Sequence, residues 1–224
     1  GGIDRAIVVS NTEKSSKSMI SDVNGAIQNV VYVNENHIFA EVAYKGLANI
    51  YKDQSGEIRT EWITPKHGFV YSTHDAPVMI DSSLYICSLK GVFAVKFRPN
   101  CQVDTVYREP LFTGNKEFDS GIIDITKDTL RKGYWVQFSD YVAFANVEND
   151  SIVNIVRAPF KIIPDIYTFE LYKNFLVGPY IGGLMFYNLD IQTFDTISYN
   201  TIIRSVQFAD ETGFYGFSEL KNVN

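Results

Sequence analysis

The chain has 224 residues, 46% of them hydrophobic and 14% aromatic, which excludes disorder and supplies enough apolar surface for a large core. Twenty Lys and Arg against 26 Asp and Glu give a formal charge of −6. That balance argues against nucleic acid, because a duplex-binding surface needs concentrated cations to displace counterions from phosphates. No apolar run reaches the ~18 residues of a helical membrane span, and the two cysteines are too few for a disulfide framework.

Gly1 to Ser18 contains no continuous apolar core of the kind a signal peptide carries. The chain begins without Met, so it reads as a processed or shortened product from which a signal could already have been removed. The expectation is a soluble protein whose compartment the sequence leaves open. In chain order, RAIVVS and SMISDV flank the polar turn NTEKSSK and read as two strands. A first full unit then runs through IQNVVYVN, HIFAEVAY, LANIYKD and EIRTEWIT. Its turns are Asn34-Glu35-Asn36, Lys45-Gly46 and Asp53 to Gly56. Such residues tolerate positive φ or bond their own backbone, as tight hairpins require. The inner strand is nearly all apolar and the outer one alternates, which predicts inner strands covered on both faces.

The plan repeats. APVMID, LYICSL, VFAVKF and QVDTVYRE form the second unit, with turns at Asp81-Ser82-Ser83 and Pro99-Asn100. GIIDIT, YWVQF, YVAFANV and SIVNIVRA form the third; DIYTFEL, NFLVGPY, LMFYNLD and TFDTISY form the fourth. IIRSVQF and GFYGFSEL then read as two more strands. No segment carries a helical i, i+3, i+4 stripe longer than a turn or two.

Hairpin corners at Gly46, Gly91, Asp140 and Gly183 each precede an apolar strand, at separations of 45, 49 and 43 residues. A period in the forties built from short strands is the mark of propeller blades, which cannot bury both faces alone and must stack. The expectation is an all-β, single-domain propeller (1–224) of four-stranded antiparallel blades. Two strands from each terminus would complete a fifth blade, closing the ring two-plus-two with Ala6 to Val9 beside Phe214 to Phe217. The alternative is a fragment of a six- or seven-bladed ring. Units such as FLVGPYIGGLMFYNLD and IRSVQFADETGFYGFSEL resemble degenerate WD repeats. The Trp-Asp and Gly-His dipeptides of that family are absent, since the strand ends read Tyr51-Lys52, Phe97-Arg98 and Asn188-Leu189 and His67-Gly68 is reversed. The resemblance implies a rigid platform for a protein or peptide.

Chemistry is sparse. His37, His67 and His74 are the only histidines, without HxH or HExxH spacing, so neither a metal site nor a cofactor is expected. His74-Asp75 beside a serine suits a surface loop better than a triad, which needs geometry that adjacency does not supply. Gly178 to Gly183 is glycine-rich but joins two strands, with no helix to receive a phosphate. Cys87 lies in an apolar run and Cys101 in a turn, both read as structural thiols. The sequon Asn149-Asp150-Ser151 falls at a hairpin tip. Inner-strand acids Asp81, Asp124 and Asp165 supply a competing reading, a carbohydrate-binding or glycoside-hydrolysing propeller with paired axial carboxylates. The connections between blades carry the favoured reading, a non-catalytic scaffold. Trp62, Lys66 and His67, then Arg108 and Phe112, then Lys161 join Pro to exposed-looking apolar and basic side chains. Loops on rigid scaffolds commonly bind, and Trp and Arg favour interface hot spots.

Overall fold

The computed structural model describes residues 8–11, 14–19, 27–72, 75–119, 121–159, 169–180, 183–198, 202–210 and 213–219. The chain divides into two compact units, Gly1–Thr113 and Gly114–Asn224. In the first, β1 (Val8–Asn11) pairs with β2 (Lys14–Met19). One four-stranded sheet follows from β3 (Ile27–Asn34), β4 (His37–Val42), β5 (Gly46–Lys52) and β6 (Ile58–Trp62). A second is built from β7 (Ala76–Ile80), β8 (Ser83–Ser88), β9 (Gly91–Phe97) and β10 (Val103–Arg108).

In the second unit, β11 (Ile122–Asp128), β12 (Gly133–Phe138), β13 (Val142–Glu148) and β14 (Ser151–Arg157) form one sheet. Another contains β15 (Glu170–Tyr172), β16 (Phe175–Tyr180), β17 (Gly183–Asn188) and β18 (Thr193–Ser198). A hairpin of β19 (Ile202–Asp210) and β20 (Gly213–Glu219) follows. Every pairing is antiparallel between sequence neighbours, and among the described residues the helical content is three short 3-10 turns. The fold is all-β, with four four-stranded antiparallel propeller blades.

The corners behave as their residue types require. Gly46 (φ 129°) and Gly91 (φ 118°) open β5 and β9 with positive φ, and Asn149 (φ 48°) and Asp150 (φ 58°) make the two-residue turn between β13 and β14. A Cβ at Gly183 would sit 1.9 Å from the Ile197 carbonyl oxygen of β18, so the strand pair closes only on glycine there.

Two expectations change. The first strand of the first full blade is not covered on both faces. β3 alternates half-buried and exposed residues, with Val30 44% and Tyr32 65% exposed, whereas β4 and β5 are almost wholly buried. The middle strands have a hydrogen-bonded neighbour on either side and sheet packing over both faces, so they form the dry part of each blade. In the first unit Phe39, Leu47, Phe69, Leu84 and Ile86 pack into one cluster. Ala40, Val42, Ala48 and Ile50 form another, and in the second unit Val142, Phe169, Leu176, Met185 and Tyr187 do the same. The second change concerns the termini. Val8 and Val9 pair with Met19 and Ser18, and Phe214 and Phe217 pair with Phe208 and Ser205. β1–β2 and β19–β20 are separate two-stranded sheets, and Ala6 lies outside the described residues.

Candidate functional site

An antiparallel meander puts alternate turns at opposite ends of a sheet. In the first unit, the β4–β5 and β8–β9 turns, the β6–β7 connection and the segment after β10 therefore share one end. Contacts trace a continuous path across it. The site of a Cβ on Gly46, in the β4–β5 turn, lies 3.8 Å from both the Trp62 and Tyr71 rings. The Tyr71 hydroxyl donates to Glu41 Oε1 at 3.4 Å. Asp75 accepts from the Ser72 amide at 2.5 Å and the Ser72 hydroxyl at 3.1 Å, and from the Ser88 side chain. Ser88 Oγ in turn accepts from the Lys90 amide at 3.2 Å.

Two buried carboxyls thus underlie this end, Glu41 at 6% and Asp75 at 0% exposure. Burial pushes the Glu41 carboxyl up to about 7, and neighbouring Asp75 adds to the rise against the Tyr71 hydrogen bond. Burial also raises Asp75, opposed by its serine hydrogen bonds and by Lys90. Tyr71 is pushed up to about 12 by burial and the Glu41 charge. What faces solvent above them is different in kind. Tyr44 is 90% exposed, Val70 59% and Leu89 50%, and Lys45, Lys66 and Lys90 are exposed. Tyr44 occupies the third position of the turn closed by Lys45 N–H to the Val42 carbonyl at 3.0 Å. Its φ is +62°, where Gly or Asn is the usual occupant.

The residues singled out from sequence are distributed as follows. Trp62 is half-buried and packs against Ala40, Val42, Ala48 and Ile50. Lys66 is exposed in the 3-10 turn Pro65–His67. His67 Nδ1 accepts from the Thr64 amide at 3.1 Å. That fixes the proton of the neutral ring on Nε2, which faces Glu61 Oε1 at 3.6 Å. Glu61 also receives Asn49 Nδ2 at 3.1 Å and the Val103 amide at 2.8 Å. Asn49 Oδ1 accepts from the buried His37 Nε2. His67 thus ends a polar staple that joins the two blades of the unit. Arg108 is exposed at the end of β10. Phe112, expected at the surface, is 2% exposed, because the 3-10 turn Pro110–Phe112, capped by Glu109 Oε1 on the Leu111 amide at 3.4 Å, turns it into the core. Lys161 and Asp165 lie outside the described residues, as does His74.

The other end of the first unit holds a polar recess of about 560 Å³, lined by the β3–β4 and β5–β6 turns and Cys101. Asp81 stands exposed in the β7–β8 turn at φ 54°. In the second unit, Asp124 is 7% exposed on β11. Burial and the neighbouring Glu170 raise its carboxyl well above the ordinary range, while burial pushes Glu170 up to about 7. The cavity beside Asp124, lined also by Thr126, Trp135, Gln137, Val142 and Phe169, is about 10 Å³. That is room for one water and not for a sugar ring. Among the described residues no group of three His, Cys, Asp or Glu side chains could hold a metal, and no helix is long and apolar enough to cross a membrane.

Tyr44, Glu41 and Leu89 were not singled out from sequence, and Asp75, expected with His74 in a surface loop, is instead 0% exposed because Ser72 and Ser88 hold its carboxyl beneath the end. Tyr44 had a signal: a bulky residue directly before Lys45-Gly46, at a corner otherwise built from turn formers. The burial of Glu41 beside Asp75 had none, because an acid in a strand and one in a loop become neighbours only when blades pack.

No protein-family model matches the sequence, and no curated protein matches it either. Solved structures do share the fold. The chain superposes on the extracellular domain of a proposed one component system from B. thetaiotaomicron with a TM-score of 0.63 at 16% identity, over 97% of this chain and 29% of that one. A second structure of that domain, described as part of a proposed hybrid two component system, gives 0.61 at 17% identity over 97% and 30%. The extracellular domain of another proposed hybrid two component system of the same organism gives 0.51 at 14% identity over 90% and 26%. This chain spans less than a third of the length of each.

Proposed function

We propose that this chain is a non-catalytic segment of an extracellular sensor propeller, receiving a protein or peptide partner on the connections between its blades. The observation carrying this reading is the division of labour in the first unit. At one end two carboxyls, Glu41 and Asp75, lie beneath the surface, while basic and apolar side chains face solvent on loops held by packed blades. Likeness to extracellular domains of proposed regulatory systems supports the sensor role, and the WD-repeat resemblance supports a protein or peptide as the class of partner. A carbohydrate-active reading is less well supported: Asp124 borders a cavity of about 10 Å³.

The test is selection of ligands for the purified chain from a displayed peptide library and a glycan array in parallel. Enriched peptides should lose binding to a Lys66→Glu, Arg108→Glu double variant whose melting temperature is unchanged. Trp62→Ala is a poorer probe, since Trp62 also packs against the core. Enrichment of neutral glycans without peptides would overturn the reading.

A further inference from the structure

We propose that Tyr44, Val70 and Leu89, fringed by Lys45, Lys66 and Lys90, form the docking face for an acidic peptide carrying an aromatic or aliphatic anchor. The inference rests on the proposed peptide-binding role and names the partner's chemistry and the residues that read it.

Four observations converge. Three large apolar side chains stand 50–90% exposed on successive connections at one end of the unit. The turns and loop that carry them are tied together beneath the surface by Gly46, Tyr71, Glu41, Asp75 and Ser88, a path of buried and half-buried groups. Tyr44 is the aromatic among the described residues with positive φ, in a turn position that glycine or asparagine would fill without strain. Folding alone does not favour a 90% exposed tyrosine there, whereas a rigid aromatic presented to a partner accounts for it. Third, the side-chain charges in solvent on these turns are cationic, in a chain of net charge −6. Of the carboxyls near this end, Glu41 and Asp75 are buried, and the half-buried Glu61 and Glu109 are engaged by His67 and by the Leu111 amide. The surface thus attracts an anion by complementarity rather than by overall charge.

Finally, Val70 and Leu89 are aliphatic. They offer no flat face for a sugar ring and no hydrogen bond to a hydroxyl, but they do match peptide side chains. Carboxylates of the partner would meet the lysines while one hydrophobic side chain sits between Tyr44 and Leu89.

The experiment measures fluorescence anisotropy of a labelled random Glu–Tyr copolymer with the full chain. A Lys–Tyr copolymer and polygalacturonate serve as comparisons. The Glu–Tyr copolymer should bind, and weaken by about tenfold or more in Tyr44→Asn combined with Leu89→Ser, the loss expected of a small hot spot. Binding should also fall as salt rises. Lys–Tyr copolymer should not bind. Tyr44→Asn suits its backbone, so the variant should keep its melting temperature, and Tyr44→Phe should retain binding. The proposal fails if Glu–Tyr copolymer does not bind, if the variants bind it as the parent does, or if polygalacturonate binds equally and is lost in the same variants. If library-selected peptides need Lys66 and Arg108 but ignore Tyr44 and Leu89, this docking face falls and the broader peptide-binding role stands.

Discussion

Single residues show where this chain departs from folding economy. Tyr44 holds a left-handed conformation that costs a side chain with a Cβ about 1 kcal/mol, and at 90% exposure it recovers little by packing. Tyr44→Asn should therefore raise the urea midpoint slightly or leave it unchanged. A drop of 1 kcal/mol or more would show that the ring packs where it is now assigned to solvent. Glu41 makes a second prediction. Its folded-state carboxyl sits near 7 against an ordinary 4.5. The folded chain therefore keeps a proton that the unfolded chain releases, and this contribution to stability is fully present below about 4.5. It is lost as pH rises through about 7. Glu170 acts in the same sense, while His37, lowered by burial, acts in the opposite one. Urea midpoints between pH 5 and 7.5 should fall less steeply in Glu41→Gln than in the parent, and less again with Glu170→Gln added. Identical slopes would mean that Glu41 is ionised in the fold at neutral pH.

At the scale of strands and turns, the glycine corners were legible because a tight turn constrains its residues whatever surrounds it. Gly46 and Gly91 carry the positive φ, and Gly183 the close approach, that their residue type announces. Gly183→Ala should destabilise by roughly 1–3 kcal/mol, as overpacking against backbone does; an unchanged melting temperature would contradict the β17–β18 register. Burial was less legible. The apolar composition of β3 suggested a doubly covered strand, yet its Val30 and Tyr32 face outward, because composition reports what a strand can bury and not what packs against it. Hydrogen exchange should show the amides of β4, β5, β12 and β13 protected far longer than those of β14 and β18, whose residues are largely exposed. Phe39→Ala, at 0% exposure in the first unit's core, should cost about 3–5 kcal/mol.

For the whole molecule, the period of 43–49 residues revealed the blades because each blade is a local meander whose pairings join sequence neighbours. The end hairpins were legible as strands, but the ladder expected between them is not formed: each is a two-stranded sheet of its own, and nothing local encodes pairing between distant ends of a chain. The proposed binding end was half legible. Lys66 and Arg108 were visible as basic residues in blade connections, but Phe112 beside them was not visible as core, and Tyr44 and Leu89 lay in turns taken for simple corners. Ligand recognition is proposed to belong to the end of the first unit carrying Tyr44, Val70, Leu89 and the lysines. Amide chemical-shift mapping of the labelled chain during titration with the Glu–Tyr copolymer tests it most directly. Perturbations should cluster at residues 43–46, 62–72 and 88–91. Perturbations confined to the opposite recess, at 34–36, 52–56 and 101, would contradict it.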